Sequence, residues 1–180
     1  MMSAVLRNWL GCLALGSGLV HVALVIGSPP PVAAVLLVVG AAEFVWGAFT
    51  IARPTPPVPE LARTAAFAPV IGWALLLVIA GADSLGPLTS STRLLPMLVA
   101  SLFDLLVAGG LTVMLRRAAA TPPSHRDAPV APLTGRQITA VIIGALLLAA
   151  ITAPALAATE AGQLAGTPGS SFTSAPGHDH

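Results

Sequence analysis

Apolar residues dominate five long runs of this chain, and proline and arginine dominate the breaks between them. The runs are Trp9–Gly27, Val32–Ala52, Thr64–Ala82, Leu94–Leu115 and Gln137–Ala158. Each has about the 20 residues that a helix needs to cross the hydrocarbon core of a bilayer. The pattern predicts an all-α integral membrane bundle of five transmembrane helices within residues 1–158. A disordered, extracytoplasmic tail rich in Gly, Ser, Thr and Pro is expected over residues 159–180.

Breaker residues separate the runs. Ser28-Pro29-Pro30-Pro31 predicts a tight turn, because proline cannot continue a helix. Arg53-Pro54-Thr55-Pro56-Pro57-Val58-Pro59 reads as a stiff, extended linker. Residues 116–136 form the longest loop, with Pro122, Pro123, Pro129 and Pro132. Pro69 and Pro96 fall in the early turns of their spans, where proline is tolerated. Pro154 falls near the end of the fifth, where a kink is expected. The first run lacks a small-x-small exit site, so it reads as a retained span and not a cleaved signal peptide. Ala155-Leu156-Ala157 resembles such a site, but its internal position argues against cleavage.

Arginine placement predicts orientation, since cytoplasmic loops are enriched in basic residues. Arg7, Arg53, Arg63, Arg116, Arg117, Arg126 and Arg136 fall on one side of a five-span chain, and Arg93 on the other. The N-terminus is therefore expected in the cytoplasm and the C-terminus outside.

Three ionisable residues interrupt the apolar runs, namely His21, Glu43 and Asp104. A charge at the bilayer centre costs about 2.5–3.5 kcal/mol on insertion scales, so such residues face a bundle interior, pair, or line a pathway. At about 1.5 Å of rise per residue, Glu43 and Asp104 lie near the midplane, and His21 within a turn of it. Helical spacing places Ala14, Ser17 and Gly18 on the side of His21, and Ala100, Ser101 and Ala108 on that of Asp104. Glu43 shares its side with Gly40 and Gly47, but also with Leu36 and Val39. Small neighbours let membrane helices approach closely, which predicts that the three face inward. Two carboxylates together in low dielectric cannot both stay charged unless a cation offsets them. The group can carry a proton, or bind zinc, copper or nickel through imidazole and carboxylate. Alternatively it only locks helices, although interhelical polar contacts average just about 0.6 kcal/mol.

Composition narrows the class further. Of 180 residues, 56% are hydrophobic and 8% charged, and mean hydropathy is +0.89. Soluble domains carry about 25% charged residues. A net charge of +1 argues against a nucleic-acid partner, which needs a basic patch. The single cysteine, Cys12, reads as a buried, inert thiol. Trp9-Leu10-Gly11-Cys12 resembles a lipoprotein cleavage box, but too little apolar sequence precedes it. Trp46 and Trp73 read as packing residues, and His125 as surface. There is no Gly-rich phosphate loop, HExxH, CxxC or serine nucleophile elbow, so no enzyme is indicated.

The chain ends His178-Asp179-His180. Two imidazoles and two carboxylates in so short a stretch can capture copper or zinc, although one short tail supplies too few ligands for a closed site. Gly16-Ser17-Gly18-Leu19-Val20-His21, with Ala41-Ala42-Glu43-Phe44-Val45-Trp46-Gly47, resembles a pattern in small uncharacterised multi-pass membrane proteins of GC-rich bacteria. The resemblance covers roughly the first two spans and implies a bacterial plasma-membrane protein.

The reading is a non-enzymatic membrane protein, an accessory or structural component whose polar cluster sets packing or partner choice. Its partners would be the lipid bilayer and a membrane protein or a second copy. The alternatives are a transporter or channel for protons or a metal ion, and extracytoplasmic metal capture by the tail.

Overall fold

A computed structural model describes residues 4–80, 91–120 and 135–165. Among them no strand occurs, and seven helices follow one another: α1 (Ala4–Ala23), α2 (Pro30–Ala52), α3 (Pro59–Ala65), α4 (Phe67–Ala80), α5 (Ser91–Ala120), α6 (Gly135–Ala157) and α7 (Glu160–Ala165). The protein is all-α, as the apolar runs predict.

Local chemistry accounts for the element ends. After Ala23 the chain turns through Gly27, whose φ of 74° is left-handed and open to glycine without penalty. Ser28 Oγ donates to the Leu24 carbonyl at 2.6 Å, and Pro30 then starts α2 where its missing N–H costs nothing. Arg53 ends α2 in extended backbone, the conformation favoured before a proline. The linker that follows is pinned to the bundle. Trp46 Nε1 donates to the Pro57 carbonyl at 2.8 Å, and Arg7 Nη1 to that of Pro54 at 3.3 Å. Val58 takes left-handed angles (φ 38°) just before Pro59, which is strained for a β-branched residue.

The third expected span is interrupted. A turn at Ala66 separates α3 from α4, and Pro69 explains it, because its ring displaces the carbonyl four residues back and offers no N–H. Four helices, α1, α2, α5 from Leu94 and α6 from Gln137, are long and apolar enough to cross a membrane. As described, α4 has 14 residues and rises about 21 Å. Helical structure also continues past residue 158, where the tail was expected to begin. Thr159 is buried, and its Oγ1 accepts from the Gly162 N–H at 3.1 Å, an N-cap that starts α7. That short helix folds back onto α6 and α1.

At the centre is α1, packed against α2, α5 and α6. Two apolar clusters line its length. One joins Leu10, Leu13 and Ala14 to Phe103, Val107 and Leu111, and the other joins Val20 and Leu24 to Met97 and Ala100. Against α2 the contact is backbone to backbone. A Cβ on Gly18 would stand 2.6 Å from the Gly40 carbonyl oxygen, and one on Gly47 would stand 2.8 Å from that of Gly11. Only glycine permits this approach, which membrane helices use where no hydrophobic force drives them together. The outward faces are apolar as well, with Val38 at 68% and Leu146 at 65% exposure. Such a surface is compatible with a membrane protein.

Candidate functional site

Between the two apolar clusters lies a polar layer. Spacing of four residues on α1 turns Ser17 and His21 to one side, where both are buried. The Gly18–Gly40 approach carries Glu43 of α2 toward His21, and α5 brings Asp104 to Ser17. His21 Nδ1 and Glu43 Oε2 are 2.8 Å apart, with the side chains 1% and 16% exposed. Glu43 has no proton to spare as a carboxylate, so in that state Nδ1 carries the shared proton. Ser17 Oγ donates to Asp104 Oδ1 at 2.7 Å. The same hydroxyl lies 3.4 Å from the Ala100 carbonyl oxygen.

Three helices thus bring His21, Glu43 and Asp104 together, each offering a ligand atom within 4.8 Å of the others. An imidazole and two carboxylates suit a late transition metal ion, and equally a shared proton. Asp104 can hold either protonation state without moving. As a carboxylate it accepts from Ser17. As a carboxylic acid its Oδ1 hydroxyl would donate to Ser17, whose own proton would turn to Ala100. Its second oxygen, Oδ2, is buried and meets no donor among the described residues, on a side chain only 2% exposed, while the Glu43 carboxyl stands within hydrogen-bond reach of the Asp104 carboxyl, so the two can share one proton. An orphaned buried polar atom costs about 1–3 kcal/mol.

Two cavities meet the cluster. The first, about 320 Å³, has Glu43 and Asp104 in its wall and otherwise apolar lining, from Ala14 and Trp46 to Val58 and Leu61. It lies toward the start of α1 and the end of α2. The second, about 310 Å³, has His21 in its wall and runs past Leu36 and Trp73 to Pro31, toward the opposite helix ends. Val39 and Pro69 line both cavities. The Trp73 indole N–H is buried and unpartnered among the described residues.

Ser17 was legible only as a small neighbour of His21. Its i, i+4 spacing from the histidine is the signal that could have found it. Trp73, expected to pack, lines the second cavity. His178, Asp179 and His180 lie outside the described residues, as does His125.

No family model, curated protein or solved structure matches this chain.

Proposed function

We propose that this is a five-span protein of the bacterial plasma membrane, N-terminus in the cytoplasm, that exchanges cations at an intramembrane site built from His21, Glu43 and Asp104. Asp104 Oδ2 carries this reading. A carboxyl oxygen kept buried without a donor, on a carboxyl within hydrogen-bond reach of a second one, gains most when a proton or metal ion arrives. The insertion cost of three ionisable groups exceeds what helix locking alone returns. The arginine bias supports the orientation.

Infrared difference spectra in lipid nanodiscs test the site. The expected result is a protonated-carboxyl C=O band that rises and falls with pH and disappears in Asp104→Asn. A spectrum without any pH-responsive carboxyl band refutes exchange.

A second reading is a structural or accessory role. It is favoured by the His21–Glu43 and Ser17–Asp104 bonds, which tie α1 to α2 and to α5. It becomes the better account if the carboxyl band is silent and the triple variant His21→Ala, Glu43→Gln, Asp104→Asn loses only stability or partner binding.

A further inference from the structure

We infer that the two cavities are the two halves of a proton path through the membrane, joined only through the His21–Glu43–Asp104 cluster. The inference rests on the cluster being a proton-exchanging site and adds the transported species and its route.

The order of residues along the helices carries the argument. The first cavity reaches Val58, in the connector between α2 and α3, and the second reaches Pro31, in the first turn of α2 beside its connection to α1. Successive connections of an antiparallel pair lie on opposite membrane faces. Each cavity therefore runs from one face to the cluster, and Val39 and Pro69 stand between them. The carboxylates line one cavity and the histidine lines the other, so the cluster is the polar bridge across the seal.

The lining selects the species. Apart from the cluster, the walls are almost wholly apolar, and no ring of oxygens replaces the hydration shell of a metal ion in transit. Protons need only a file of water. Each cavity has room for several molecules, at about 30 Å³ apiece. Ordered water also needs polar partners. The Glu43 and Asp104 carboxyls in the wall of the first cavity, and His21 in that of the second, are those partners.

The transfer balances without any co-reactant. With Nδ1 engaged by Glu43, a proton from the second cavity binds His21 Nε2, and the ring releases its Nδ1 proton to Glu43 Oε2. Glu43 passes a proton to Asp104, which lies within 4.8 Å, by a rotamer change or one bridging water. Asp104 releases it to water in the first cavity. Rotation of the imidazole or exchange of its tautomer restores the starting state. No other titratable side chain comes to this level from α4, whose sequence has none.

The test uses the full chain in vesicles loaded with a pH-sensitive dye, with a potassium gradient and valinomycin driving proton entry. Flux well above that of empty vesicles is expected, falling to background in Asp104→Asn. Gly72→Leu should also reduce it to background, because Gly72 lines the second cavity and a Cβ there meets nothing within 4 Å. Gly109→Leu is the folding control, since Gly109 has equal space and lines neither cavity. It should leave flux unchanged. Background flux from the wild type, with the pH-responsive carboxyl band intact, overturns the path and spares the site. Flux indifferent to Gly72→Leu, or entry of zinc into the vesicles, overturns the route or the species.

Discussion

Adding one methyl group to Gly40 should open the α1–α2 crossing and break the cluster from a distance. An alanine Cβ at this position would stand 2.8 Å from the Gly18 carbonyl oxygen, and 3.0 Å from His21 Cβ and Val22 Cγ2. Comfortable contact for such pairs begins at about 3.5 Å. One obstacle is backbone and another is a Cβ, so neither can rotate away. The helices must separate by roughly 0.7 Å, the difference between contact and the built distance. Glu43 lies one turn further along the same face of α2, so its 2.8 Å bond to His21 would lengthen past the range of a good hydrogen bond, about 3.2 Å. Overpacking costs about 1–3 kcal/mol. Loss of the polar contact adds about 0.6 kcal/mol, and the helix propensity of alanine returns about 1 kcal/mol. The net expectation is a loss of about 0.5–2.5 kcal/mol. Reversible unfolding in detergent reads that loss, and the ¹⁵N shift of His21 Nδ1 reads the broken bond. Gly72→Ala is the control and should be neutral or stabilising. A Gly40→Ala protein as stable as wild type, with an unchanged Nδ1 signal, would refute the close crossing and its coupling to the cluster.

Removing the Ser17 hydroxyl should leave both oxygens of Asp104 without a side-chain donor. Ser17→Ala is expected to cost about 1–3 kcal/mol and to shift the carboxyl C=O band; identical stability and spectrum would mean that the bond is not made. Thr159→Val keeps the shape of the residue but removes the cap of α7, with an expected loss of about 1 kcal/mol. Faster amide exchange at Gly162 is the readout, and unchanged exchange there would contradict the cap. Zinc(II) titrated calorimetrically into protein in detergent should bind the intramembrane donors, so binding should vanish in His21→Ala and survive truncation before His178. The converse result would move metal capture to the tail.

Much of the site's composition was written in the sequence. His21, Glu43 and Asp104 stand out because each interrupts an apolar run, and spacing alone gave them a common depth and small-residue neighbours. The pairing was not legible. Which carboxyl meets the histidine depends on how α1, α2 and α5 are placed about one another, and a single helix carries no record of its neighbours. The division of labour between Glu43, bonded to His21, and Asp104, bonded to Ser17, is likewise a tertiary fact.

Hydropathy determined the five apolar segments and the all-α class, because in hydrocarbon a backbone must satisfy its own hydrogen bonds. Proline and glycine marked most of the turns by removing a donor or permitting a left-handed residue. The break at Ala66, the capped helix α7 and the glycine crossing needed the structure. So did the two cavities, because empty space between helices results from the way their surfaces fit. Residue order determines what each helix can offer at a given depth, and only packing decides what that offer meets.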